Sequence, residues 1–355
     1  MRQSENTATN DEPAILVTDS DAVAMSEVAE ILVQHRPVIG DHLPGSAAHL
    51  VMAGAVTRID ASFLLRHPQV QAVIRVGAGY DNVDTSALRA AGVTLAAADV
   101  SGDPSVAEWT LGAMLYLLRT YSRAQSVALG GDWGARAQLW GHSLRSRRIG
   151  IIGHGSIGAQ VAQLCRAFGA EVLVWHPWSD RALPAGIERL DRLEDLLECA
   201  DIVSLHCRLE PETRHLIGAE ALARMKPDAL LINSGRGALL DEEALAIALR
   251  AGHLAGVAID TVASEPHPEQ SPLAGAPRVL LTPHVAAYTV EGRRQLVDWA
   301  VAEALAWIRS GHLSPPTAIL PSRAEDWPAT EASDAPVAES DHCAARPRSV
   351  NTLRH

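Results

Sequence analysis

The chain has 355 residues, a formal net charge of −12 and an apolar share of 47%. That length points to two domains, and that apolar content is ample for buried cores. The acidic balance excludes an ordinary nucleic-acid binder, which presents a basic surface, and no apolar run reaches the ~18 residues needed to span a bilayer.

The polar start, "MRQSENTATNDEP", lacks the apolar core of a signal peptide. A soluble, cytoplasmic protein with a disordered leader over residues 1–12 is therefore expected, with neither nucleic acid nor membrane as partner. The four cysteines (Cys165, Cys199, Cys207, Cys343) form no C-x-x-C pair and show no metal-ligand spacing, so no metal site is expected.

"AILVTD" (14–19), "AHLVMAG" (48–54) and "VQAVIRVG" (70–77) read as buried strands with helix-like segments between them. Such alternation predicts βαβ units and a parallel sheet. Residues 104–124, "PSVAEWTLGAMLYLLRTYSRA", read as one long helix with Pro104 in its first turn, apolar nearly all round and so buried in a core or against another subunit. Six further strand-like runs follow, at 148–153, 171–175, 201–206, 229–233, 256–260 and 279–284, enough for a complete doubly wound unit. Residues 293–311 form an amphipathic helix. From Pro321 the composition is polar and proline-containing with few aliphatic residues, and a disordered tail over 321–355 is expected.

Within "RIGIIGHGSIGAQVAQLCRAFG", Gly153, Gly155 and Gly158 make a G-x-G-x-x-G turn between a strand and a helix. Gly153 permits the tight turn, Gly155 lets backbone N–H groups approach a pyrophosphate, and Gly158 lets the helix pack closely on the strand. The helix N-terminus adds partial positive charge. The acid expected at the end of the next strand, to bond the adenosine ribose, is replaced by His176, eighteen residues after Gly158. A neutral imidazole can still bond a ribose hydroxyl, and it lacks the negative charge that repels a 2′-phosphate.

Three segments at the ends of predicted strands, "INSGRGALLDEEAL" (232–245), "AIDTVASEP" (258–266) and "LTPHVAAYT" (281–289), contribute one cation, one acid and one titratable base: Arg236, Glu265 and His284. Taken singly, these could be a loop charge, a cap and a core histidine. Together with "VGAGYDNVD" (76–84), "SVAEWTLGAML", "PETRHLIG" and the glycine turn, they resemble the D-isomer-specific 2-hydroxyacid dehydrogenases, over residues 45 to 318.

The resemblance implies an α/β fold of two Rossmann-like doubly wound domains, the cofactor domain inserted into the substrate domain. Residues 13–103 plus 288–320 would form the substrate domain and 104–287 the NAD(P)-binding domain. It implies a hydride transfer between NAD(P)H and a 2-oxo acid or D-2-hydroxy acid. Arg236 would clamp the substrate carboxylate, His284 would be the acid for reduction and base for oxidation, and Glu265 would bond His284 and favour its protonated form. Backbone N–H groups around Val76, Gly77, Ala78 and Gly79 would hold the carboxylate, with Arg75 either reaching the substrate or serving as an ordinary loop arginine. The cofactor set would be Gly153, Gly155, Ser156, Ile157, Gly158, His176, Cys207, Arg208, Thr213, Ser234, Gly235, Arg236, Asp260, His284 and Ala286, with Asp260 bonding the nicotinamide carboxamide. The long helix would lie at a homodimer interface.

Two departures bear on the cofactor. His176 stands for the common acid, and Arg208 in "LHCRLEPET" stands for the usual proline of the family's H-x-P-L. Both favour a 2′-phosphate. Against that, Pro177 keeps the turn common in NAD-type members and no arginine follows position 176 directly, so NAD and NADP both stay open. A second reading, a nucleotide-sensing corepressor-like binding protein of the same fold, retains the same Arg, Glu and His and differs in lacking fast turnover.

Overall fold

The computed structural model describes residues 14–19, 23–40, 48–77, 79–98, 104–179, 182–314 and 318–320. The leader and tail readings, and Ala78, lie outside the described residues. The described residues divide into two compact units, one built from those before Pro104 and from 288–320, the other from Pro104–Ala287.

The first unit begins with β1 (Ala14–Val17), α1 (Val23–Ile31), β2 (Val38–Ile39), β3 (Ala48–Ala53), α2 (Ala61–Arg66), β4 (Ala72–Arg75), α3 (Thr85–Ala90) and β5 (Thr94–Ala97). Its central strands are apolar along both faces, as strands in a covered parallel sheet must be; Leu50, Val51, Met52, Val73 and Ile74 are all fully buried. Helices α2 and α3 start where an aspartate can take up a free amide: Asp60 accepts from Phe63 N–H and Asp84 from Ala87 N–H.

The second unit runs through α4 (Ser105–Leu118), α5 (Tyr121–Leu129), β6 (Arg148–Ile152), α6 (Ser156–Ala167), β7 (Glu171–Trp175), β8 (Glu188–Arg189), α7 (Leu193–Cys199), β9 (Ile202–Leu205), α8 (Ala219–Arg224), β10 (Leu230–Asn233), α9 (Glu242–Arg250), β11 (Gly256–Ile259) and β12 (Val279–Leu281). The chain then returns to the first unit as α10 (Val290–Ser310) and β13 (Ala318–Leu320).

The first sheet has the order β13-β5-β4-β3-β1-β2, parallel except for the antiparallel β13–β5 pair. The second, β12-β11-β10-β9-β6-β7-β8, is parallel throughout. Strand order reverses between β6 and β9 in the second sheet, and a doubly wound sheet binds ligands beyond the carboxyl ends of its strands at such a point.

The fold differs from the sequence reading in three places. β2, β5, β8 and β13 are additional strands, too short or too alanine-rich to announce themselves by periodicity. The single helix of 104–124 is two, broken at Thr120, which sits in the left-handed region at φ 49. Composition carries no sign of this break, because a distant segment makes it: His142 N–H bonds the Leu118 carbonyl at 2.9 Å, taking an acceptor that a longer helix would use. The runs of 201–206, 256–260 and 279–284 stop short as strands, at Leu205, Ile259 and Leu281, and their last residues enter the turns that carry function.

Helix α7 packs directly on β6. A Cβ at Gly150 would lie 2.5 Å from Leu196 Cδ2 and 2.9 Å from the Ala200 Cβ. Gly150→Ala should therefore destabilise the chain by about 1–3 kcal/mol through overpacking, read as a lower urea midpoint at unchanged slope.

Candidate functional site

β6 delivers the chain to Gly153, whose N–H bonds the Trp175 carbonyl at 2.9 Å and whose φ is 91. A Cβ there would sit 2.6 Å from Cys207 N, and one at Gly158 would sit 2.2 Å from the Gly153 carbonyl oxygen. These two positions are closed to any side chain. Gly155 is the opposite case: nothing lies within 4 Å of where its Cβ would be. It is also the N-cap of α6 and offers no side-chain cap. The first amides of α6, beginning with Ser156 and Ile157, therefore have no intrahelical acceptor, and the space beside Gly155 is open, an arrangement that suits a phosphate. These residues fit a dinucleotide, and the cradle at Gly155 is the space it needs.

His176 follows β7 directly. Its Nδ1 is buried with no hydrogen-bond partner, and Trp178 meets its ring edge-on at 5.7 Å. Burial first, and the Arg189 guanidinium second, hold the imidazole below the usual histidine range, so it is neutral near pH 7. Arg189, on β8, donates to the Ser179 carbonyl at 2.7 Å and to the His176 carbonyl at 3.4 Å, bracing the turn. Residues 176–179 contain no acid.

Past β9, Thr213 closes the next loop, donating to the Arg208 carbonyl at 2.7 Å and accepting from Glu210 N–H at 2.8 Å. Arg208 is exposed. Burial pushes the Cys207 thiol up to about 12, which leaves it protonated and unreactive. Behind the glycine turn, His206 pairs its Nε2 with the Ser204 hydroxyl at 2.8 Å, and desolvation lowers its pKa to about 4.

At the end of β10, the buried Asn233 organises the turn around Arg236. Its amide nitrogen donates to the Arg236 carbonyl at 2.9 Å, and its oxygen accepts from Gly235 N–H at 3.0 Å. The half-buried Arg236 donates through Nη1 to the Gly235 carbonyl at 2.9 Å. Ser234 Oγ lies 3.2 Å from Thr110 Oγ1, tying the turn to α4.

Asp260, at the end of β11, is 2% exposed. The resemblance gives its carboxylate to the nicotinamide carboxamide, but here it already accepts from Val285 N–H at 2.9 Å, Ala286 N–H at 2.8 Å and the Thr282 hydroxyl. Its backbone carbonyl accepts His284 N–H at 2.8 Å. It thus builds the turn on which His284 stands, in the left-handed region at φ 55. The His284 Nδ1 meets Glu265 Oε2 at 2.9 Å, and the other Glu265 oxygen accepts Val262 N–H at 3.1 Å. The two side chains are 41% and 38% exposed, so a ligand can reach the pair. With Nδ1 engaged, Nε2 is the nitrogen that can give or take a proton at a substrate.

In the first unit, Arg75 is 7% exposed and braces its own loop, donating to the Asn82 side-chain oxygen at 3.3 Å and to the Val76 carbonyl. Val76 is buried, and Gly77 has a φ of 143. Sequence reasoning missed the roles of Asn233, Thr110, Arg189 and Asp260 in holding these turns; of these, only Asn233, directly before Ser-Gly-Arg, carried a local signal.

Among the described residues no helix is long and apolar enough to cross a membrane, and no group of three or more His, Cys, Asp or Glu could hold a metal ion. A parallel sheet with a glycine turn at its first strand, and Arg236, Glu265 and His284 beyond the carboxyl ends of later ones, defines a Rossmann-type, nicotinamide-linked oxidoreductase. Residues 111–286 match the family model for the D-isomer-specific 2-hydroxyacid dehydrogenase, NAD-binding domain. The (S)-sulfolactate dehydrogenase of Chromohalobacter salexigens is 37% identical over 261 residues, covering 73% of this chain and 84% of that protein. The D-3-phosphoglycerate dehydrogenase of Mycobacterium bovis is 36% identical over 312 residues, 85% of this chain but only 58% of that protein. In fold, the D-lactate dehydrogenase of Aquifex aeolicus superimposes with a TM-score of 0.76 at 24% identity, covering 83% of this chain and 95% of that one. The chain belongs to the D-isomer-specific 2-hydroxyacid dehydrogenase family, which does not favour the corepressor reading.

His206 gives a pH-dependent stability with a definite sign. Its folded-state pKa, about 4, lies below the ordinary 6.5, so the unfolded chain binds the proton more readily. Its contribution is intact above pH ~6.5 and is lost as the pH falls toward 4, by up to about 3 kcal/mol. In urea titrations at pH 7 and pH 4, His206→Gln should lose less stability on acidification than the parent by about that amount; equal losses would refute the assignment.

Proposed function

We propose that the chain reduces a 2-oxo acid to the D-2-hydroxy acid, and runs the reverse oxidation, through a His284–Glu265 acid/base pair and the Arg236 cation. The observation that carries this reading is the 2.9 Å contact between His284 Nδ1 and Glu265, set on a turn that Asp260 anchors. The first amides of α6 would hold the cofactor pyrophosphate, and Ser234, Gly235 and Ala286, on turns that Asn233 and Asp260 fix, would hold its nicotinamide end. When bound, the cofactor supplies or accepts the hydride at the substrate C2.

His284 Nε2 gives a proton to the carbonyl oxygen as C2 is reduced and takes it back in oxidation. Glu265 orients the ring and stabilises the imidazolium. The planar fork of Arg236 pairs with the substrate carboxylate and draws electron density from the adjacent carbonyl. In the first unit, Arg75 braces the loop at Val76 through the Val76 carbonyl and the Asn82 side chain.

The neutral His176, the lack of an acid over 176–179 and the nearby Arg189 support use of both NAD and NADP. A panel of 2-oxo acids, from glyoxylate to acids with a terminal phosphate or sulfonate, should be run with NADH and with NADPH. The two nucleotides are expected to support kcat/KM values within about tenfold of each other, a difference under 1.4 kcal/mol. His284→Ala should lower kcat by ~10²–10⁴. Arg236→Ala should lower kcat/KM by roughly 10–100-fold, the loss of one charge-assisted contact. No turnover on any acid with either nucleotide would overturn the reading.

The same reading makes the protein a cytoplasmic homodimer. Helix α5 buries none of its residues, and Tyr121, Leu129, Trp133 and Trp140 are 50%, 82%, 69% and 86% exposed. This much apolar surface in one segment supports its burial against a second copy. Light scattering should give twice the chain mass for the parent and one chain mass for Leu129→Asp/Trp140→Asp; a monomeric parent would refute the dimer.

A further inference from the structure

The loop that carries Glu265 is held by an acid that the proposed chemistry does not use. Glu242 and Glu243 both stand in the first turn of α9, where acids commonly face solvent and favour the helix dipole. Glu243 is exposed in this way. Glu242 is 7% exposed, and its carboxylate takes donors from outside its own helix. One oxygen accepts Ala263 N–H at 2.7 Å, and the other accepts the Ser271 hydroxyl at 2.6 Å. Ser271 Oγ in turn accepts Leu273 N–H at 3.2 Å. A single buried carboxylate therefore grips both ends of the segment from Ala263 to Ser271.

The same segment is fixed from a second side. A Cβ at Gly237 would lie 2.2 Å from Val262 C and 2.3 Å from Ala263 N, so the turn carrying Arg236 presses on the start of the Glu265 loop. Two successive amides there go to two different acids: Val262 N–H to Glu265 and Ala263 N–H to Glu242. Glu265 can reach Val262 and His284 together only while the backbone at 262–263 stays where Glu242 and Gly237 hold it.

We propose that Glu242 is a positioning residue for the His284–Glu265 pair, fixing the loop through Ala263 and Ser271 so that Glu265 meets the imidazole. A carboxylate suits the task because charged acceptors make the stronger hydrogen bonds, and the buried charge finds donors at both oxygens. This assignment rests on the reductase reading for its kinetic consequence.

The test combines steady-state kinetics of oxo-acid reduction, NADH binding by fluorescence, and the imidazole ¹H–¹⁵N signal of His284 in the protein without substrate, assigned by its loss in His284→Gln. Glu242→Ala should lower kcat about 10–100-fold, the scale of a small misplacement of the acid. It should leave the NADH dissociation constant within about twofold, because the pyrophosphate cradle is built elsewhere. It should also remove the downfield Nδ1–H signal. Glu242→Gln should restore both readouts, since an amide can accept from Ala263 and donate to Ser271, and Glu243→Gln should change neither. Unchanged kcat and signal in Glu242→Ala, or a Gln variant as impaired as the Ala one, would overturn the proposal. If Glu242→Ala does not fold, Ser271→Ala carries the test, with a partial loss of kcat expected and none overturning it. If the parent protein reduces no 2-oxo acid, the reductase reading falls separately, and the His284 signal alone decides the role of Glu242.

Discussion

The Asp260 carboxylate is the constraint on which the rest of the site depends. It is buried at the end of β11, where an unpaired charge would be costly, and it is satisfied by the Thr282 hydroxyl and the amides of Val285 and Ala286. Those donors belong to the turn after β12, which has no sheet partner of its own beyond Leu281. His284 within that turn is held at positive φ, a conformation that costs a non-glycine residue of order 1–3 kcal/mol and persists only where surrounding bonds over-determine it. Asp260 supplies those bonds, including the one from its backbone carbonyl to His284 N–H. The direction of the imidazole, and so its meeting with Glu265, follows from a carboxylate 24 residues earlier in the chain.

The parallel sheet explains why so many separate segments contribute. Six strands of the second unit, β6, β7, β9, β10, β11 and β12, end at the same side, and each is followed by a turn carrying one element of the site. The cofactor end uses backbone: glycines remove side chains so that helix amides are exposed. The acid/base end uses buried polar side chains: Asn233 closes its own turn, Asp260 ties the end of β11 to the turn after β12, and Glu242 ties α9 to the Ala263–Ser271 segment. The first arrangement depends on what is missing from the chain, the second on what is added.

That difference governs how much could be read from sequence. The glycine turn was legible because its steric demands are local: Gly153 and Gly158 have no room for a Cβ, and the motif spans six residues. Arg236, Glu265 and His284 were legible through resemblance, at the ends of strands whose apolar runs were plain. The bridging side chains were not, because Glu242 looks like any first-turn helix acid, and its partners at Ala263 and Ser271 lie 21 and 29 residues on. The break at Thr120 was hidden for the same reason, being imposed by the segment that returns at His142. The replacement of an acid by His176 was visible at once, but not its charge state, which burial and Arg189 on another strand decide.

The buried bridges also divide the site by what substitution can do to it. Asp260, Asn233 and Glu242 are each satisfied at several atoms, so changing any of them leaves donors or acceptors without partners in a dry interior, a penalty of about 1–3 kcal/mol for each group. Such positions hold the reaction geometry, whatever acid is turned over. His176 and Arg208 are different: the histidine makes no bond through its buried Nδ1, and the arginine is exposed. They can change at small structural cost, and they lie where the family pattern is departed from. The residues that hold the turns around Arg236, Glu265 and His284 are thus also those least free to vary.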